Sequence, residues 1–165
     1  VAKNEQAKTF LADQFFHKTS QRTYIALAWG VPKDPEGTIS GYIGRSLKDR
    51  KVMALFPDET YGKWSVTHYK VIEDLGYVSV VECHLETGRT HQIRCHMAYL
   101  GHPLEGDDLY GGRLDKIQRQ ALHCGKLDFV HPITKQPITV TAPIPDDMKN
   151  ISREINAALK NNIVL

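Results

Sequence analysis

Thr87-Gly88-Arg89-Thr90-His91-Gln92-Ile93-Arg94-Cys95-His96 joins a strand to a helix and sets two arginines and two histidines at the joint. Upstream, residues 77–85 (Y-V-S-V-V-E-C-H-L) have the alternation and β-branching of a strand. Gly88 breaks that pattern, Thr90 can cap, and Ile93, Met97 and Leu100 recur at helical spacing until Gly101 stops the run. The first turn of a helix has unpaired N–H groups and a positive dipole end, so it favours an anion. Two guanidiniums at such a joint strengthen that preference. Arg94 lies on the Thr90 face of the helix, about a hundred degrees round from Ile93, at the rim of a floor made by Ile93, Met97 and Leu100. An arginine there stays charged and suits a permanent partner, a carboxylate or a phosphate. Zinc fits poorly, because His91 and His96 do not have the four-residue spacing that turns two histidines to one side.

Working outward, residues 4–17 read as a helix with Ala7, Phe10, Leu11 and Phe15 on one face. Strands are expected at 21–30, 38–44, 51–56, 64–73 and 77–86, parted by turn chemistry at 32–37 and 57–62. After a helix at 90–100 come strands at 120–130 and 136–142, then one terminal helix opened by Pro145 with Met148, Ile151, Ile155 and Leu159 on its apolar face. Helices flanking hairpin-connected strands indicate an α+β fold with a mixed, mainly antiparallel sheet. Ile39, Ile43 and Phe56 are expected in the core. In Tyr24-Ile25-Ala26-Leu27-Ala28-Trp29, alternation puts Tyr24 on the face of the small residues Ala26 and Ala28, with room in front of it for a planar ligand.

The run from Leu85 to Gly112, LETGRTHQIRCHMAYLGHPLEGDDLYGG, resembles the signature of the pseudouridine synthases that modify large-subunit ribosomal RNA and some transfer RNAs. Those enzymes carry T-G-R-[TS]-H-Q-[IL]-R-x-H followed by G-H-P-[IL]-x-G-D-x-x-Y-G. The likeness continues through residues 22–26, 65–69, 122–123 and 141–145, and so covers nearly the whole chain. It implies the synthase catalytic-domain fold, a flipped uridine in RNA as substrate, and neither cofactor nor metal. It implies that Tyr24 stacks on the uracil and assists removal of the C5 proton, and that Arg94 is the fixed cation beside an aspartate nucleophile. Arg89, Thr90, His91, Gln92 and His96 are then expected at the RNA, and Asp107 and Tyr110 to shape the loop, Asp107 through backbone hydrogen bonds. Asp108 departs from the proline most often found there. Glu105, Asp107 and Asp108 lack a calcium-loop spacing.

In that family the nucleophile lies in a His-Arg-Leu-Asp motif ahead of the Tyr24 block, and no such motif occurs in these 165 residues. The chain therefore reads as the C-terminal portion of one catalytic domain, with the nucleophile-bearing segment expected upstream of Val1. Arg113-Leu114-Asp115-Lys116 lacks the preceding histidine and the following Thr/Ser-Gly, and reads as an exposed charged loop. A non-catalytic RNA-binding module that has lost the nucleophile is the alternative. A His/Cys hydrolase is third, because no nucleophile–base spacing supports it.

Composition is that of a globular domain, 41% apolar and 24% charged. The net charge of +2 makes an RNA role depend on local clusters: Lys18, Arg22 and the run Arg45-Ser46-Leu47-Lys48-Asp49-Arg50-Lys51 are candidates for phosphate contacts. No apolar run approaches membrane-spanning length. Three cysteines without CxxC spacing point to reduced thiols and a cytoplasmic protein.

Overall fold

The computed structural model describes residues 4–16, 21–151 and 153–161. In chain order these form α1 (Glu5–Phe16), β1 (Gln21–Trp29), β2 (Glu36–Arg45), β3 (Met53–Phe56), β4 (Lys63–Asp74), β5 (Val78–Leu85), α2 (Gln92–Tyr99), β6 (Leu122–Val130), β7 (Pro137–Thr141), α3 (Asp146–Lys149) and α4 (Arg153–Asn161). The strands make one seven-stranded sheet in the order β3-β2-β4-β5-β1-β6-β7, and every described pairing is antiparallel. The fold is α+β, as expected, with no parallel pair among the described strands.

Strand β1 lies at the centre of the two cores because its alternation feeds both faces. Ile25 and Leu27 join Val78, Val80, Met148, Ile151, Ile155 and Leu159 under α3 and α4. Ala26 and Ala28 face the other way, where Ile93, Met97 and Leu104 pack on Val81 and Cys83. Tyr24 sits at the edge of this second core, where the pairing of β1 with β6 slips by one residue between Thr23 and Tyr24. Bulges of this kind re-aim a side chain beside a site.

Three expectations need correction. The terminal helix is two helices: α3 ends at Asn150, whose φ of −90° and ψ of 8° leave the helical region, although Met148, Ile151, Ile155 and Leu159 still share one buried face. Phe56 is only half-buried, against Tyr61, because β3 is the edge strand; Ile39 and Ile43 are in the core. Helix α2 starts at Gln92 and not at Thr90, which does not cap it. Residues 17–20, including Lys18, lie outside the described residues.

Candidate active site

Gln92 organises the start of α2. Its buried side-chain oxygen accepts hydrogen bonds from the Arg89 N–H (3.0 Å) and the Thr87 hydroxyl (2.7 Å). Its Nε2 donates to the Val66 carbonyl and to Thr67 Oγ1, both at 2.9 Å. Gln92 therefore ties the 87–91 turn to β4, which a helix cap at Thr90 could not do. His91, the N-cap, takes a left-handed conformation (φ 54°, ψ 28°) that costs a non-glycine residue about 1–2 kcal/mol. Gln92→Leu is expected to strand these groups and lower stability by about 2–4 kcal/mol, read as a lower urea midpoint.

His96, expected at the RNA, is instead fully buried. Gln92 donates to Thr67; Thr67 Oγ1 donates to His96 Nδ1 (2.7 Å); His96 Nε2 donates to Ser65 Oγ (2.9 Å); Ser65 donates to the Gly41 carbonyl (2.6 Å). This one-way relay requires a neutral imidazole with its proton on Nε2. Burial agrees, pushing the His96 pKa down to about 4. His96 braces the site from behind, and Gln92 ties the turn to β4 while lining the wall of the cleft.

Arg94 has its permanent carboxylate partner within the chain. Its Nε and Nη2 grip the two oxygens of Asp107 at 2.9 and 2.8 Å, in the two-pronged geometry an arginine favours. Asp107 is 2% exposed, so this pair is buried on the acid side. The Asp107 hydrogen bonds hold the guanidinium pKa above its ordinary range. The Asp107 backbone carbonyl accepts from Tyr110 and Gly112 and so closes the loop, whereas the carboxylate, expected to take backbone hydrogen bonds there, serves Arg94 instead. Tyr110 lies under the Arg94 guanidinium, 5.0 Å from its ring centroid. Its hydroxyl accepts from the Met53 N–H and shares a 2.9 Å hydrogen bond with His91 Nδ1; when the hydroxyl is the donor, His91 carries its proton on Nε2. Burial and then the Arg94 charge lower the His91 pKa.

Tyr24 and Arg94, seventy residues apart in sequence, line one cleft of about 310 Å³. Leu85, Ile93 and Leu122 supply apolar walls, and Arg22, Arg89 and His91 the polar rim. Burial raises the Tyr24 pKa, with the Arg22 charge opposing it. Arg89 is anchored through Nε to the Trp64 carbonyl (2.8 Å). Thr90 faces a neighbouring cavity. Of the basic candidates, Arg22 reaches the cleft, whereas Arg45 turns to the Arg50 carbonyl. Cys83 and Cys95 are buried thiols whose pKa burial raises to about 12 and about 11, so neither is a nucleophile at neutral pH.

Sequence reasoning missed Glu105. It is 1% exposed, and neither carboxyl oxygen has a hydrogen-bond donor. Burial, and next the exposed Asp115 carboxyl beside it, push its pKa up to about 8. A Glu105 that keeps its proton avoids placing a second negative charge beside Asp115. No group of three or more His, Cys, Asp or Glu residues able to hold a metal ion occurs among the described residues. No described helix is long and apolar enough to cross a membrane.

Comparison with known proteins agrees with this geometry. The family model for RNA pseudouridylate synthase matches residues 1–99. An uncharacterised RNA pseudouridine synthase of Chlorobaculum parvum is 44% identical over 177 aligned residues, covering 96% of this chain and 54% of that protein. The ribosomal large subunit pseudouridine synthase D of Xanthomonas campestris is 39% identical over 165 aligned residues, covering 92% of this chain and 49% of its own length. The solved structure of human RNA pseudouridylate synthase domain containing 1 superposes with a TM-score of 0.76 at 31% identity, covering 96% of this chain and 66% of that one. The chain spans about half the length of the curated relatives it matches. With the signature turn, the antiparallel sheet and the Tyr24–Arg94 cleft in place, the chain belongs to the RNA pseudouridylate synthase family.

Proposed function

We propose that this chain forms the tyrosine–arginine side of a site that isomerises specific uridines in structured RNA, with 23S-type ribosomal RNA favoured, to pseudouridine. The N1–C1′ bond breaks, the base rotates, and C5 joins C1′. Tyr24 and Arg94 meet in one cleft with apolar walls, and that meeting carries the proposal. A pocket of this kind takes a base only when it is flipped out of its stack. Burial keeps the Tyr24 phenol protonated, which suits stacking on an uncharged uracil; removal of the C5 proton then needs a second acceptor acting with it. Arg94 is held by Asp107 through Nε and Nη2, which leaves Nη1 to face the aspartate nucleophile that family membership implies. Arg89 and His91 Nε2 serve as donors to RNA. We place the protein in the cytoplasm, where its three thiols stay reduced.

The nucleophile is not among these 165 residues, so the chain by itself is expected to release no tritium from a 23S ribosomal RNA transcript tritiated at uracil C5. Release should appear once the upstream segment is included. Turnover by the 165 residues that Asp115→Ala abolishes would overturn this assignment. The alternative, an RNA-binding module without chemistry, requires a coding sequence with no His-Arg-Leu-Asp motif upstream of Val1 and RNA binding without tritium release.

A further inference from the structure

A second cavity, of about 560 Å³, lies between the β2–β3 hairpin, the turn before β4 and the 88–90 turn. Gly88 and Arg89 line both this cavity and the Tyr24 cleft, so the two spaces share a wall. A Cβ on Gly88 would come within 2.6 Å of Arg22 Nη2, so a side chain there would have to push aside the end of a cleft arginine. Arg89 uses Nε on the Trp64 carbonyl, which fixes its guanidinium at the boundary with both Nη groups left for a ligand.

The far side of the cavity carries Tyr61, which is 57% exposed although aromatic. Its backbone lies directly on β2: a Cβ on Gly44 would sit 1.7 Å from the Tyr61 carbonyl oxygen. Its ring leans on Phe56, with centroids 5.5 Å apart. A large flat apolar side chain presented to solvent is a stacking platform. Lys63 and Arg89 provide cations at the rim, while Glu59 opposes a phosphate at its end, so a base and not the backbone belongs inside.

We propose that this cavity is a second nucleobase site, which receives the unstacked nucleotide directly next to the flipped uridine. Tyr61 stacks on that base, Arg89 holds the phosphate joining the two nucleotides, and Lys63 holds the phosphate beyond. The inference rests on the synthase reading for its substrate, yet it stands on a separate set of residues and can fail separately.

Photo-crosslinking of the full-length protein to a 5-bromouridine-substituted 23S ribosomal RNA transcript, with crosslinked residues mapped by mass spectrometry, is the direct test. Crosslinks at both Tyr24 and Tyr61 are expected; a crosslink at Tyr24 with none at Tyr61, or none at either, overturns the second site. Kinetics with an unbrominated transcript of the same sequence, tritiated at uracil C5 and read by tritium release, give the other arm. Tyr61→Ala should raise the RNA concentration for half-maximal turnover about tenfold, with the maximal rate falling far less, and Tyr61→Phe should restore it because stacking needs the ring and not the hydroxyl. Tritium release with an unchanged half-saturation in Tyr61→Ala overturns the second site and leaves the synthase reading standing. A Tyr61 crosslink without tritium release from any uridine sinks the synthase reading and supports the site.

Discussion

Arg94→Ala in a complete synthase is expected to lower the single-turnover rate at saturating RNA by about a hundredfold or more, and to cost about 3–5 kcal/mol of folding stability. Both effects come from stranding a carboxylate. Asp107 would be left 2% exposed with no cation on either oxygen, and the aspartate nucleophile would lose the charge that keeps it ionised. Arg94→Lys should recover only part of each, since an ammonium cannot grip two oxygens in one plane. Asp107→Asn separates the two: it frees the guanidinium without removing it, so stability should fall while the rate falls less than in Arg94→Ala. Thermal unfolding beside single-turnover kinetics reads both. A contact to RNA phosphate instead would show as a normal maximal rate with a flatter dependence of affinity on salt, and that result in Arg94→Ala would remove Arg94 from the chemistry.

Glu105→Gln should stabilise the protein by about 3–5 kcal/mol above pH 8 and change it little near pH 4. Burial, then the Asp115 carboxyl, raise the Glu105 pKa from 4.5 to about 8, with Arg113 and Lys116 opposing. The folded state therefore binds more protons than the unfolded state between pH 4.5 and 8. The stability that the protonated group contributes is complete below 4.5 and is lost as pH rises through 8. His96 acts in the opposite direction: its folded pKa of about 4 lies below the ordinary 6.5, so its contribution is complete above 6.5 and drains away as pH falls toward 4. His91, whose pKa is lowered too, acts with His96; these slopes oppose that of Glu105 below pH 6.5, and among the described groups with a shifted pKa only Glu105 acts from 6.5 to 8. In that window the melting temperature of the parent should decline while that of Glu105→Gln stays level. Parallel curves would mean that Glu105 is ionised in the folded protein.

Much of the fold was legible in the chain because alternation and helical period are local. Tyr24-Ile25-Ala26-Leu27-Ala28 declares its two faces residue by residue, and the structure sends Ile25 and Leu27 to one core and Ala26 and Ala28 to the other. Every predicted strand is present within a few residues, and the 87–96 turn is the joint that brings Arg94 to Tyr24. The choice of polar partner was not legible. Arg94 asked for an acid but could not name Asp107; His91 gave no sign of a left-handed backbone; His96 carries the same letter whether it faces RNA or a buried serine and threonine. Glu105 looked like one more loop acid beside Asp107 and Asp108. Hydrophobic period selects which face a residue takes, whereas a hydrogen bond depends on which donor arrives within 3 Å from a distant element, and only the assembled sheet with α2 packed on it brings Ser65, Thr67 and His96, or Tyr24 and Arg94, to that range or to one cleft.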